Sequence, residues 1–375
     1  MRVLHVTPCY PPTWAYGGIP RAVHALARAQ SRAGVDVAVW TTDVFDATRR
    51  ADVSSRYNAD GVDVHVAKVV SNRAAWRHQL YLPRGRPPLD GVDVVHLHAH
   101  RNLLNFLAWR AARARGLPVV LTAHGTVPRI ERKLLVKSVW DACFDGKVPT
   151  DADRVVALSR AEVRHLLAAG ISGDRIERIP NAMHLEDFAD LPPRGTFRRR
   201  YGLGDGALVA YLGQITPRKG VSHLVEAFSG GALAPASLVV AGAARGMVMP
   251  EAPGVVFPGT LEGPDRLALL VDADVLVYPS TEEVFGLVPL EGLLCGAPVV
   301  VGGDCGCGEL IAEAGAGLLT RHGDVTQLRA SIRALLHDRP AADAMVERGR
   351  KYVTRHLDPA RVAQAHLTMY RAVLA

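Results

Sequence analysis

Apolar and polar positions follow two rhythms along this chain. Short runs of apolar residues bounded by glycine, proline or charge predict strands buried on both faces, and longer stretches with apolar residues three and four apart predict helices between them. In the first half the predicted strands are Arg2–Thr7, Val35–Thr41, Val62–Val69, Val92–Leu97, Pro118–Thr122, Arg154–Leu158 and Ile176–Ile179. Helices are predicted over about Pro20–Ala33, over 101–115 and from Ser159, which with Glu162 three residues on forms a capping box. The pattern restarts with a strand at Leu208–Gly213, a loop at Gln214–Gly220 and a helix at Val221–Phe228, then strands at Ser237–Gly242, Val255–Phe257 and Val275–Tyr278. A further helix carries Glu291, stops at Gly296 and Pro298, and leads into a strand from Val299.

Strands alternating with helices predict an α/β protein built of parallel βαβ units covered on both faces. At 375 residues the chain is long enough for two such domains, and the break in the alternation between Asp187 and Gly206, charged and carrying Pro192-Pro193, reads as the linker. The expected domains are 1–187 and 188–358. Ligands of sheets of this kind sit at the carboxyl ends of the strands, so the loops there carry the candidate chemistry.

The stretch Tyr278–Val301, YPSTEEVFGLVPLEGLLCGAPVVV, is the densest such region. Glu283 precedes a helix and Glu291 lies on it, with the Phe285-Gly286-Leu287-Val288 backbone between them at the helix N-terminus. Free amides beside two carboxylates suit a phosphorylated sugar, whose phosphate needs donors and whose hydroxyls need acceptors. In the first loop Gly17-Gly18 precedes a helix, another place where backbone can approach an anion. That loop, PCYPPTWAYGGIP, is too long and proline-rich for a dinucleotide turn. Two histidine clusters follow strands, His96, His98 and His100 in one and His124 beside Gly125 in the other, and His124, directly after its strand, ranks first.

Charge and cysteine content narrow the partners. A net charge of +7 and a pI near 9.3 favour an anionic partner, a nucleoside diphosphate or anionic lipid before nucleic acid, for which no zinc-finger or RNA-binding pattern is present. The five scattered cysteines do not form a disulfide pattern, and Cys305-Gly306-Cys307 reads as a glycine-rich turn with no second metal-ligand pair. The carboxylates of DAD at 151–153 and 272–274 precede strands, away from the ligand edge, and read as structural. Residues 128–140 combine Arg129, Arg132, Lys133 and Lys137 with Leu134, Leu135 and Trp140, a pattern for a helix packed on the sheet or resting on an anionic membrane. With no apolar run long enough to span a bilayer and a chain that opens on a strand, a cytoplasmic protein is expected; of the two roles for 128–140, packing on the sheet is favoured, and peripheral contact with the inner membrane face is the alternative.

These residues together resemble glycosyltransferase family 4, retaining nucleotide-sugar transferases of the GT-B fold. The resemblance covers nearly the whole chain. It rests on Gly17-Gly18, VVHLHAH at 94–100, Ala123-His124-Gly125, ADRVVALS at 152–159, IPN at 179–181 and LGQITPRKG at 212–220. It rests most of all on the carboxylate pair Glu283 and Glu291 in EVFGLVPLE, followed by Gly296-Ala297-Pro298 and Gly308-Glu309.

The resemblance implies two Rossmann-like domains facing an interdomain cleft, the donor held mainly by the second and the acceptor by the first. It implies a last helix, about 359–375, packing back on the first domain. Donor-binding residues are then Gly17, Gly18, Gln214, Arg218, Lys219, Phe285, Gly286, Leu287, Val288 and Glu291, with Glu291 on the ribose hydroxyls. Glu283 and His124 position the sugar, and Lys219 neutralises the departing diphosphate, with no metal or other cofactor. The chain departs from the family pattern at Gln214, where an arginine is usual, and Arg218 is expected to supply that charge. It also departs at Val284, where glycine is usual, and at Ala182-Met183-His184, where Gly-Val-Asp is common. A non-catalytic nucleotide-sugar-binding protein and a sugar-nucleotide epimerase of the same architecture are the competing readings.

Overall fold

In the computed structural model the described residues are all of 1–375 except 14–16, 129–139, 142–143, 145–146, 245–246 and 248–251. They form two units, Met1–Met183 with Leu357–Ala375, and His184–His356.

The first unit is built on an eight-stranded sheet. Its strands are β1 (Arg2–Val6), β2 (Asp36–Thr42), β3 (Arg56–Ala59), β4 (Val62–Ala67), β5 (Val94–His98), β6 (Val119–Thr122), β7 (Arg154–Ala157) and β8 (Ile176–Arg178), in the order β3-β4-β2-β1-β5-β6-β7-β8. All pairs are parallel except β3 with β4, an antiparallel edge that the sequence pattern did not predict because its residues, Arg56 to Ala59, do not form an apolar run. The two-residue period of the strands sorts the core. Val3, Val94, Val120 and Val156 pack beneath the helices Gly18–Arg32 and Pro359–Leu374. Leu4, Leu97, Leu121 and Val155 pack on the other face with Leu104 and Ala108 of the helix Leu103–Ala114.

The second unit has six strands, β9 (Leu208–Leu212), β10 (Ser237–Ala241), β11 (Val255–Gly259), β12 (Val275–Tyr278), β13 (Val299–Gly302) and β14 (Gly317–Thr320). Their order is β11-β10-β9-β12-β13-β14, and all neighbours are parallel. The stretch read as a linker packs inside this unit, with a short helix at Thr196–Arg200. Its charges satisfy the second DAD sequence. Buried Asp272 accepts from the Gly195 and Arg198 amides, and Asp274 pairs with Arg194 and, at 2.7 Å, with Arg198. The first DAD is used in the same way, Arg113 meeting Asp151 at 2.6 Å and Asp153 at 2.8 Å. Composition reads such a stretch as a linker because arginines whose carboxylate partners lie some 75 positions away look unpaired in sequence; Arg194 and Asp274 are 80 apart.

Candidate active site

The second sheet starts at β9 and runs outward both ways, so its strand order reverses between β9 and β12. Ligands of doubly wound sheets bind at the carboxyl edge of such a pair. Here the loop after β9 makes a tight turn, Pro217–Lys219, ended by Gly220 at φ 66°, and this turns Lys219 inward until it is only 7% exposed. Its Nζ donates to the Tyr278 hydroxyl at 2.6 Å and pairs with Glu283 Oε2, while the Tyr278 hydroxyl donates to the same oxygen at 3.2 Å. The loops are tied by the Thr281 amide donating to the Arg218 carbonyl at 2.9 Å. Burial pushes the Glu283 carboxyl up, and the Lys219 ammonium, helped by Arg218, more than offsets it, so Glu283 sits below the usual carboxylate range. Burial and the Glu283 charge push the Tyr278 phenol well up, so it stays protonated.

Gly286 ends this loop at φ 75°, and a side chain there would put its Cβ 2.4 Å from Cys307 Sγ; backbone and space both require glycine. The helix Leu287–Cys295 that follows has no side-chain cap and no acidic residue in its first turn, leaving its N-terminal amides and dipole unopposed. Phe285 and Gly286 are buried there, and Leu287 and Val288 are half-buried. On the next turn Glu291, 6% exposed, pairs with Arg266 of the helix Gly263–Asp272. The Cys307 amide donates to the Glu283 carbonyl at 3.1 Å, so Cys305-Gly306-Cys307 opens a second helix against the same loop.

In the first unit, the face beneath Gly18–Arg32 and Pro359–Leu374 carries histidines where the other strand positions carry valine. His5 lies beside His96 in the β1–β5 register and His98 beside Thr122 in the β5–β6 register. His5 Nδ1 is 2.9 Å from His98 Nε2, and His98 Nδ1 is 3.2 Å from Nε2 of His124 in the loop after β6. The ring of His366 on the last helix lies tilted against that of His96, with centroids 5.7 Å apart and 35° between the ring planes. Burial lowers all five. His5 and His366 fall to about 4 and His124 to about 3, while His96 and His98, held down further by the neighbouring rings, lie well below the ordinary value. The loop bearing His124 is pinned from behind by buried Glu162, which accepts from the Gly125 amide at 2.5 Å and the Leu158 amide at 2.7 Å. Gly17, at φ 84°, starts the helix Gly18–Arg32 with no side-chain cap and no acid in its first turn, and Gly17 and Gly18 are exposed.

Residues 16–187 match the family model described as Glycosyltransferase Family 4, and residues 194–352 match the one described as Glycosyl transferases group 1. The chain belongs to glycosyltransferase family 4. A GDP-mannose-dependent alpha-mannosyltransferase of Mycobacterium tuberculosis is 29% identical over 254 residues, 66% of this chain and 65% of that relative's length. Among solved structures, sucrose-phosphate synthase from Thermosynechococcus elongatus superposes with a TM-score of 0.74 at 20% identity, covering 99% of this chain and 98% of the other. Anabaena HepE in complex with UDP-glucose does so with 0.72 at 18%, covering 99% and 100%. The fold of this glycosyltransferase is GT-B, with two Rossmann-like α/β units.

Within this glycosyltransferase the structure gathers Lys219, Glu283 and the Phe285–Val288 backbone into one group, with Arg218 close enough for its charge to act on Glu283. Gln214 is half-buried in the loop after β9, and its carbonyl accepts from the Tyr211 hydroxyl at 2.7 Å. The placing of His98 beyond the predicted strand Val92–Leu97 is corrected: β5 runs from Val94 to His98 and includes it. The apolar pattern ends the strand at Leu97, but His98 finds buried partners in His5 and His124 and remains in the strand. Tyr278, Arg266, His5 and His366 were not singled out from the sequence. Tyr278 and His5 end or interrupt apolar runs, which is a signal; Arg266 and His366 sit on ordinary amphipathic helices, which give none. The basic segment 128–140 lies almost wholly outside the described residues. No helix among the described residues is long and apolar enough to cross a membrane.

Proposed function

We propose that this family-4 glycosyltransferase moves a sugar from a nucleoside-diphosphate sugar to a hydroxyl acceptor, a glycan, lipid-linked saccharide or small molecule, with retention at the anomeric carbon and without a metal. The observation that carries the reading is Lys219, buried against Glu283 and Tyr278 at the strand pair where the second sheet reverses. A cation held there by a carboxylate and a neutral phenol is poised to take up the charge that develops on a departing diphosphate, at no cost of reorganisation. Arg218 adds a second positive charge in place of the missing arginine at Gln214. The uncapped amides from Phe285 to Val288 meet phosphate or sugar oxygens, and Gly17 and Gly18 offer backbone of the same kind. Glu291, held in place by Arg266, accepts from the ribose hydroxyls, and Glu283 and His124 orient the sugar.

In the transfer, the bond from the anomeric carbon to the diphosphate oxygen breaks and its electron pair stays with that oxygen. The acceptor oxygen forms its new bond on the same face of the ring, and its proton passes to the leaving phosphate oxygen. No side-chain nucleophile is needed. The donors named for similar proteins differ, GDP-mannose for the mycobacterial relative and UDP-glucose for the Anabaena structure, so a donor panel begins with both.

The test is acceptor-dependent release of nucleoside diphosphate across such a panel, with and without chelator, and with the anomeric coupling of the product read by NMR. Release that survives chelation and gives the donor's anomeric configuration is expected. An inverted product overturns retention, and loss on chelation overturns metal independence. Sugar isomerisation without acceptor makes the protein an epimerase, and binding without release makes it a non-catalytic binder.

A further inference from the structure

Three of the histidines in the first unit form a chain with a direction. At its inner end Gln30 Oε1 is 2.7 Å from His5 Nε2, while the other amide atom, Gln30 Nε2, donates to the Tyr370 hydroxyl at 3.3 Å. An amide oxygen only accepts, so His5 carries its proton on Nε2 and its Nδ1 is a lone pair. That lone pair accepts from His98 Nε2, which leaves His98 Nδ1 bare, and His98 Nδ1 in turn accepts from His124 Nε2. The proton positions follow one from the next. The Tyr370 hydroxyl, accepting from Gln30, is free to donate to His96 Nδ1 at 2.6 Å, and His96 Nε2 donates to Thr122 Oγ1 at 2.7 Å, so the neighbouring branch satisfies the same assignment.

We propose that the Gln30–His5–His98 chain is a positioning relay that locks His124 as the neutral Nε2–H tautomer and presents its Nδ1 lone pair to a hydroxyl of the bound sugar. The proposal rests on the reading that His124 touches that sugar. His124 Nδ1 has no hydrogen-bond partner among the described residues, and His124 is half-buried where His5 and His98 are fully buried, so it is the end of the chain that meets a ligand. The groups packed around the chain are His96, His366 and Tyr370, each held neutral by burial. A cationic donor role for His124 is thereby replaced by an acceptor role, which selects a hydroxyl and rejects an anion. His5, His96 and His98 also bring ring nitrogens within 4.8 Å of one another, but both nitrogens of all three already face hydrogen-bond partners, so a metal would have to break the chain.

Two-bond proton–nitrogen spectra of the free, histidine-labelled protein read the tautomer directly, with His124 assigned from the His124→Ala spectrum. The expected pattern is Nε2–H with a bare Nδ1 from pH 8 to pH 5. An Nδ1–H pattern, or a ring that titrates near 6.5, overturns the relay. In His98→Phe the ring of His124 loses its acceptor and is expected to show both tautomers and to titrate, with turnover down about tenfold, the loss expected for one hydrogen bond. His98→Gln, whose amide oxygen can accept from His124 and whose amide nitrogen can donate to His5, is expected to restore the single tautomer and most of the turnover. An unchanged His124 pattern in His98→Phe overturns the relay, and the wild-type spectrum decides the question even if that variant fails to fold. The expected tautomer together with wild-type turnover in His124→Ala overturns the sugar contact while leaving the relay standing.

Discussion

In the first unit five histidines gather on one side of a sheet, and among the described residues no carboxylate hydrogen-bonds to any of them; in the second unit Lys219 stands against Glu283 and Tyr278. Both clusters take polar groups out of water. One does so by staying neutral and matching each donor to one acceptor, the other by pairing opposite charges. The difference teaches what each can do. A neutral, directional chain fixes which atom carries a proton, and a charged cluster sets a field that acts wherever charge develops, with little regard to angle.

The sharpest way to break the charged side is Lys219→Ala. Glu283 then keeps its burial and loses its cation, and breaking one partner of a buried pair costs about 3–5 kcal/mol. Turnover is expected to fall by about 10²–10³, the loss typical of removing one preorganised electrostatic group from a transition state. Urea unfolding and donor turnover are measured together. Adding Glu283→Gln to Lys219→Ala is expected to recover much of the stability and none of the turnover. A double variant that recovers activity would refute the role assigned to Lys219.

The neutral side is broken by acid, and the sign follows from the direction of the shifts. His5 and His366, near 4, and His124, near 3, bind protons less readily in the folded state than at the ordinary 6.5. Below pH 6.5 the unfolded chain takes up protons that the folded chain refuses. Stability is therefore fully present above 6.5 and is lost as pH falls towards 4, by about 1–2 kcal/mol for each histidine at pH 5. Glu283 is depressed instead, so its contribution is lost only at lower pH, through the carboxylate range. Thermal unfolding between pH 8 and 5 is expected to show a steep decline, less steep by one proton in His366→Leu. A midpoint that stays level from pH 7 to 5 would show that the cluster is not held neutral.

How much of this was legible in the sequence differs between the two clusters. Both Rossmann-like patterns were, because parallel strands buried on two faces write themselves as apolar runs such as VVVG at β13. Glu283 and Lys219 were singled out, one by its place before a glycine-led helix and one by its motif, but not their pairing, which joins positions 64 apart. The histidine chain was hidden for another reason. His5, His96, His98 and Thr122 share a face only once the β1–β5 and β5–β6 registers are known, and slipping a strand by one residue would turn its side chains to the opposite face. His366 and Tyr370, which close the set, lie at the far end of the chain. Arg266 had no signal, since an arginine on an amphipathic helix reads as surface, and its burial depends on Glu291 twenty-five positions on.

The smallest effect sharpens the contrast furthest, because the same atom can be removed from both clusters. Tyr370→Phe deletes a hydroxyl that accepts from Gln30 and donates to His96, leaving a buried amide proton and a buried ring nitrogen without partners, at a cost of about 1–3 kcal/mol. It also removes the partner of the Gln30 Nε2 amide, so that holding the amide oxygen towards His5 no longer gains a second hydrogen bond. With that gone the amide can turn, His5 can accept instead of donate, and every proton in the chain can reverse, so His124 is expected to show both tautomers by NMR although Tyr370 never touches it. Tyr278→Phe deletes a hydroxyl that accepts from Lys219 and donates to Glu283, but the ion pair beneath it remains. The attraction between those charges does not depend on a third partner's orientation, so a loss of about 1 kcal/mol is expected, with Glu283 still ionised at neutral pH. If Tyr278→Phe instead shifts the pH dependence of turnover while Tyr370→Phe leaves the tautomer of His124 untouched, then it is the charged cluster that depends on direction, and the contrast between the two units is the wrong way round.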